Sequence, residues 1–453
     1  VTAGAVPGTA PAAAIVGDVL INVTELPTRV TERIEALRNR PIDATEKAFS
    51  FQGGRTAASI ALAGQDLHAA GLSYPVLTLR ETALAHNAQA MAAYCAGAGV
   101  ELAPHGKTAM SPELAALQVA HGAWAITVAT IGQMRTYRGF GFPRLLLANE
   151  LADETGIAWL AAELAADPGF EPYCYVDNLT TINLMDRTIR ATTPGASLPV
   201  RPLPVLVEIG HDGAGAETGR TGCRTDAEAI EVAKAAAATG TLRVAGVAGY
   251  EGSIGHDASP ETTGRVTAFC RRLRGLADVL REPGEFVVSA GGSTWFDIVT
   301  SELTAGDTSG LRLVLRSGAY LTHDHGMYDA TSPWARGDTH APRFRPAIEI
   351  WAQVVSRPEP GLALVGLGRR DAGFDAGLPV PLRASGGQDV TGWTLTRLMD
   401  QHAYLQVGAD ATLAPGDLIC FGISHPCTTL DKWRVMAVVD DDGRVTDVVH
   451  AFF

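Results

Sequence analysis

Three short segments of this sequence carry residue types that could do chemistry together. Ala103-Pro104-His105-Gly106-Lys107-Thr108 sets a lysine directly after a β-branched run. A lysine held in a partly desolvated pocket has a lowered pKa and can condense with an aldehyde, whereas an isolated lysine after a strand is more often a solvated surface residue. Ser289-Ala290-Gly291-Gly292-Ser293-Thr294 follows another such run. Gly291 and Gly292 would let the backbone approach an anion, and Ser293 and Thr294 would add donors. A lysine and an anion loop suit the two ends of one phosphorylated aldehyde, which describes pyridoxal 5′-phosphate (PLP). Ser424-His425-Pro426-Cys427 supplies an imidazole and a thiolate two residues apart, which in an extended segment project to one side and form a zinc-preferring pair. Most His-x-Cys sequences bind nothing. Thr322-His323-Asp324-His325-Gly326-Met327-Tyr328 is open to several interpretations: a rival metal pair at His323 and His325, a substrate-carboxylate or acid–base role for either histidine, or a hydrogen-bonded loop.

These segments need a scaffold that brings them to one place. From about residue 74 to 320, short β-branched runs alternate with Ala/Leu-rich stretches of helical period. The predicted strands are Val76–Arg80, Val100–Ala103, Ala125–Thr130, Arg144–Ala148, Glu171–Val176, Pro204–Ile209, Val244–Ala248, Glu285–Ser289 and Leu313–Arg316. Helices are expected at Thr82–Ala96, Ser111–Ala120, Asp153–Ala166 and Asp226–Ala238. Setting Val76–Arg80 aside leaves the strand number of a (β/α)8 barrel, whose active sites lie at the C-terminal strand ends and whose phosphate sites lie in the late loops. After about residue 340 the pattern changes to strands separated by Gly, Pro and Asp turns, as in an antiparallel β-domain. The expected division is 1–73, an N-terminal extension against the β-domain; 74–330, the barrel; and 331–453, the β-domain. Residues 1–17 read as a flexible tail without a basic or Leu/Phe-rich leader signal. Trp334, Trp351 and Trp433 read as core or interface aromatics.

The 453 residues (47.4 kDa) are 46% apolar and 19% charged, as in a globular protein of about three times the common domain length. Lys plus Arg number 36 against 49 Asp plus Glu, a net charge of −13 that argues against nucleic-acid or anionic-membrane binding. No apolar stretch reaches the roughly 18 residues of a membrane span. The 6 cysteines form no CxxC pair, which fits a reducing, cytoplasmic compartment.

Pro104-His105-Gly106-Lys107-Thr108 followed by Ser111-Pro112-Glu113-Leu114 resembles the PLP-lysine motif of the D-serine dehydratase and D-threonine aldolase family. The resemblance runs from about Tyr74 to the C-terminus. It implies the alanine-racemase-like fold (fold type III): an α/β architecture of a PLP-binding (β/α)8 TIM barrel followed by an antiparallel β-domain. It implies Lys107 as the PLP lysine, Tyr250 against the ring, and Gly291, Gly292, Ser293 and Thr294 at the phosphate. Arg316 would face the pyridine nitrogen and Arg220 the ring hydroxyl, although the His211–Gly219 loop before Arg220 is longer than the family's. His425 and Cys427 would hold zinc. Relatives that dehydrate D-serine carry His-x-Cys here and D-threonine aldolases carry His-x-Asp, so Cys427 implies dehydration. The expected substrate is D-serine or another small β-hydroxy D-amino acid, converted to a 2-oxo acid and ammonia. Lys107, Tyr250 and His323 are the candidate catalytic residues. Retro-aldol cleavage to glycine and an aldehyde is the alternative chemistry, and a non-catalytic PLP-binding protein the alternative of another class. A homodimer is expected from the same resemblance.

Overall fold

In the computed structural model, residues 26–50, 54–192, 201–212, 219–282 and 284–453 are described. The expected N-terminal tail and most of the His211–Gly219 loop lie outside them. The first strand, β1 (Val76–Arg80), is followed by β2 (Glu101–Leu102), β3 (Ile126–Val128), β4 (Arg144–Glu150) and β5 (Glu171–Val176). Next come β6 (Leu203–Ile209), β7 (Leu242–Gly249), β8 (Phe286–Ala290) and β9 (Leu311–Leu315). Strands β2 to β9 form one parallel sheet in the order β2-β9-β8-β7-β6-β5-β4-β3. A bridge between His105 and Thr127 joins its two ends, where the Thr127 hydroxyl donates to the Ala103 carbonyl at 2.6 Å. The sheet therefore closes as a TIM barrel. Ala103, Leu146, Tyr175, Leu206, Ala248, Val287 and Val314 belong to one compact interior cluster, as expected for inward residues of successive strands.

Strand β1 is the exception within 74–330. It pairs antiparallel with β10 (Ile348–Glu359) and parallel with β16 (Val435–Val439), so it lies in the second sheet and not in the barrel. That sheet also contains β11 (Leu362–Val365), β12 (Val380–Ala384), β13 (Thr394–Leu398), β14 (Ala403–Gln406), β15 (Leu418–Gly422) and β17 (Val445–His450). Apart from the β1–β16 pair its ladders are antiparallel. The chain before β1 forms helices α1 (Thr28–Arg38) and α2 (Ala57–Ala63). Arg38 reaches Asp447 of β17 with Nη1–Oδ distances of 2.7 and 2.5 Å, and Leu67 N donates to Gly443 O.

Barrel and β-domain are joined through the lysine segment's own helix. After α3 (Glu81–Ala98), helix α4 (Pro112–Ala120) starts with Ser111 as its cap, whose Oγ accepts from Leu114 N at 3.3 Å, and with Pro112 in the first turn. Glu113 is fully buried; one carboxylate oxygen accepts from His450 Nδ1 at 2.7 Å and from His450 N at 3.2 Å. The Ser-Pro-Glu triplet thus serves architecture: it begins a helix and ties it to β17. Trp433 is buried, with Nε1 donating to Asp371 O, whereas Trp334 is exposed. All six cysteines are free thiols. Among the described residues no helix is long and apolar enough to cross a membrane.

Candidate active site

The C-terminal ends of the barrel strands open into a cavity of ≈ 470 Å³, within the usual range for small-ligand sites. Lys107, Arg220, Tyr250, Gly292, Ser293, Arg316, His425 and Cys427 all line it. Residues separated by more than 300 positions thus face one space.

Lys107 sits in a single 3-10 turn (Gly106–Thr108) immediately after β2, exposed toward the cavity and with no hydrogen bond among the described residues. The turn is tight because Gly106 lies under a buried aromatic: Tyr137 donates its hydroxyl proton to Gly106 O at 2.9 Å, and a Cβ on Gly106 would stand 2.7 Å from that ring. Burial, then the positive charges of Lys107, Arg316 and Arg220, hold His105 well below its ordinary pKa, so its imidazole is neutral at neutral pH.

Arg316 follows β9 and is buried; Nη1 donates to Ser289 Oγ at 2.8 Å and Nη2 to Gly249 O at 2.6 Å. Ser289 in turn donates to Val314 O. The guanidinium is therefore locked by three strands. The Arg220 guanidinium carbon lies 5.3 Å from the centroid of the Tyr250 ring, so these two form one wall.

The glycine loop departs from the expected arrangement. Gly291 N donates to Glu251 Oε2 at 3.0 Å and Gly292 N to Glu251 Oε1 at 2.5 Å, and Glu251 is fully buried. The two amides assigned to the phosphate are already held by a carboxylate. Gly291 (φ +95) shapes the turn, since a Cβ there would lie 2.6 Å from Leu315. Gly291 and Thr294 do not line the cavity; Gly292 and Ser293 do, with Ser317, Gly318 and Ala319 after β9. The candidate anion cradle is thus Ser293 plus the loop after the last strand, the pair of late loops that barrels use for phosphates. Glu251 sets its shape.

His425 and Cys427 come together by a turn. Pro426 is helical (φ −62, ψ −45), so the extended alternation expected from the sequence is absent. His425 Nδ1 bonds Asp375 Oδ2 at 2.7 Å, and Asp375 Oδ1 accepts from Thr428 Oγ1 at 2.6 Å. A carboxylate fixing one imidazole nitrogen leaves the other for a metal. Burial pulls the His425 pKa down, but Cys427 and Asp375 outweigh it and raise it to about 9. Burial opposes ionisation of Cys427, yet bonds to His425 and Thr108 and the charges of His425 and Lys107 bring the thiol below its ordinary value. Cys427 Sγ lies 3.5 Å from Thr108 Oγ1, one residue from the lysine.

His323 is placed elsewhere. It is buried, 5.8 Å from the Phe344 ring centroid, with Nε2 3.7 Å from Asp329, and does not line the cavity. Asp324 accepts from the amides of Gly326, Tyr328 and Asp329, so this segment is a capped turn leading out of the barrel. Sequence reasoning passed over Tyr175, Glu208, His256, Tyr328 and Asp375, which also line the cavity. A polar residue near the end of an apolar strand, as Glu208 is in Val205-Leu206-Val207-Glu208-Ile209, was an available signal for an inward group at the strand's C-terminal end. Asp375 gave none: it meets His425 from a loop 50 residues away.

Comparison with known proteins supports the same assignment. Residues 79–300 match the alanine racemase N-terminal domain and residues 347–439 a putative serine dehydratase domain. The chain is 27% identical to a D-threonine aldolase of Arthrobacter sp over 384 residues, 83% of this chain and 90% of that one. It is similar to the crystal structure of D-threonine aldolase from Filomicrobium marinum, with 25% identity, TM-score 0.70 and 84% and 95% of the two chains covered. It also shares the fold of D-threo-3-hydroxyaspartate dehydratase from Delftia sp. HT23, with TM-score 0.66, 22% identity and 84% and 98% covered. The barrel with Lys107 at its mouth thus matches the alanine racemase N-terminal domain, the β-sheet domain with His425 and Cys427 matches a putative serine dehydratase domain, and the chain has the alanine-racemase-like fold and is similar to D-threonine aldolases over most of its length.

Proposed function

We propose that this chain is a PLP-dependent lyase of β-hydroxy D-amino acids that eliminates the β-hydroxyl to give a 2-oxo acid and ammonia, with zinc held by His425 and Cys427. One observation carries the reading: the metal-type pair and the lysine share the cavity, Cys427 Sγ being 3.5 Å from the hydroxyl of Thr108, next to Lys107. The donor set suits both groups. Lys107 is an unengaged amine, Ser293 and the Ser317–Ala319 loop offer anion donors, Arg316 is a fixed cation, and Asp375 orients an imidazole beside a thiol of lowered pKa.

When bound, PLP would supply an electron sink for charge developing at Cα, and zinc a Lewis acid for the β-hydroxyl. The chain's own residues do the rest. Lys107 Nζ faces the cavity and is the group able to take a proton from Cα. Arg316 cannot give up its proton, so it would hold a fixed positive charge toward the bound cofactor and would donate no proton to it. His105, held neutral, adds no charge beside the lysine. Tyr250 and Tyr328, both pushed above their ordinary pKa by burial, line the walls as neutral phenols.

Retro-aldol cleavage uses the same machinery, and the similarity to D-threonine aldolase favours it. Cys427, where the family's aldolases carry Asp, supports elimination, and D-serine or a related small hydroxy amino acid as substrate. Product analysis decides. PLP- and zinc-loaded protein is incubated with D-serine, D-threonine and D-threo-3-hydroxyaspartate, with and without a chelator. A 2-oxo acid and ammonia, lost on chelation, is expected; glycine plus an aldehyde would establish the aldolase instead, and no product from any D-isomer would refute both.

A further inference from the structure

The barrel holds a second group of potential ligands that neither the lysine nor the His425–Cys427 pair uses. Glu150 ends β4, Asp177 directly follows β5 and Glu208 lies near the end of β6, so three neighbouring strands deliver three carboxylates to one level of the barrel. One oxygen from each lies within 4.8 Å of the others. Like charges this close repel unless a proton or a cation lies between them, and burial together with Glu208 raises the Glu150 pKa to about 9. No Lys or Arg forms an ion pair with any of the three among the described residues.

The cluster is also short of hydrogen bonds. Apart from each other, the Glu150 carboxylate and Glu208 Oε2 are buried without a hydrogen-bond partner among the described residues, and Glu208 is only 6% exposed. Tyr175, opposite Glu150 in the β4–β5 register and two residues before Asp177, is 2% exposed, and its hydroxyl is likewise unpartnered. A buried carboxylate oxygen without a donor costs about 1–3 kcal/mol or more, and here several occur together. A bound cation would satisfy them at once.

We propose that Glu150, Asp177 and Glu208 form a divalent-cation site. An all-oxygen donor set selects hard ions such as Mg²⁺, Mn²⁺ or Ca²⁺, unlike the imidazole and thiolate of His425 and Cys427. Oxygens about 2.1–2.4 Å from one ion are at most roughly 4.2–4.8 Å apart, so the observed spacing needs only small side-chain adjustment. Asp177 is already oriented, its Oδ2 accepting from Gly222 N at 3.0 Å and Oδ1 from Asn178 Nδ2 at 2.6 Å. Glu208 also lines the cavity, so the ion would border the lysine's chamber from below. The site stands whether or not the lyase reading holds.

Mn²⁺ is the probe. Crystals of metal-stripped protein soaked in Mn²⁺ should show an anomalous peak among the three carboxylates. In solution, the His425→Ala/Cys427→Ala protein should still bind one Mn²⁺ per chain by electron paramagnetic resonance titration. Adding Glu208→Gln or Glu150→Gln should weaken that binding roughly tenfold or more, about 1.4 kcal/mol. If these variants fold poorly, the anomalous map of the unaltered protein decides. No peak there at millimolar Mn²⁺, or Mn²⁺ binding unaffected by well-folded Glu208→Gln, overturns the proposal.

Discussion

Glu251 provides a sharp test of how the site is built. Its fully buried carboxylate accepts from Gly291 N at 3.0 Å and Gly292 N at 2.5 Å, and these amides have no other acceptor among the described residues. Hydrogen bonds to a charged group contribute about 1.5–3 kcal/mol each, so Glu251→Ala should cost on the order of 3–6 kcal/mol and leave the buried Gly291 donor and the part-buried Gly292 donor unpaired. Against a typical total of about 5–15 kcal/mol that is a large loss. Glu251→Gln should cost less, because its amide oxygen still serves one N–H while its NH₂ group opposes the other. Thermal unfolding and PLP titration by absorbance would follow both effects. The expected result is a lower unfolding midpoint in the order Gln, then Ala, with cofactor affinity falling in parallel as the loop loses its shape. If the phosphate itself needed these amides, removing Glu251 would free them and affinity would hold or rise. Unchanged or tighter PLP binding in a folded Glu251→Ala protein would therefore refute the argument.

Three further outcomes are expected. Asp375→Ala removes the carboxylate that holds His425 Nδ1 at 2.7 Å, and should weaken metal binding about 10–100-fold without preventing PLP binding, as read by competition with a chromophoric chelator. Without metal, His425 is raised from 6.5 to about 9, so below that pH an incoming metal must displace its proton. Apparent metal affinity should climb about tenfold per pH unit toward pH 9 and then level, while the stability that the charged imidazole gives the metal-free fold, complete below pH 6.5, fades through the same range. Glu113→Ala should destabilise the chain by about 3–5 kcal/mol in denaturant titration, because it strands His450 and Ser111 donors in a buried seam.

The barrel was legible because each of its strands is a short apolar run bounded by helix signals, and βα alternation is a local pattern. Glu171–Val176 agrees at both ends, and the others differ by a few residues. Strand β1 carries the same apolar signature, but its partners β10 and β16 lie more than 260 residues away, and no local pattern can reveal such pairing. Within the β-domain, strands β12 and β13 are largely exposed and offer no apolar stripe, so their sequence carries little strand signal. Within the site, Lys107, Arg220, Tyr250, Ser293, Arg316, His425 and Cys427 were readable from motifs, and they do converge. The motif around Gly291 pointed to the right loop but not to the acceptor of its amides, since Glu251 reaches it from a different strand end. His323 looked chemical by composition; its burial against Phe344 is a tertiary fact.

The central claim is that the cavity at the barrel mouth holds PLP on Lys107. Borohydride reduction of PLP-loaded protein, followed by peptide mass spectrometry, tests it directly. The account predicts a pyridoxyl adduct on the peptide that contains Lys107, absent from Lys107→Ala, whose turnover should fall by about 10²–10⁴-fold or more. An adduct on another lysine, or none while turnover persists, would contradict it.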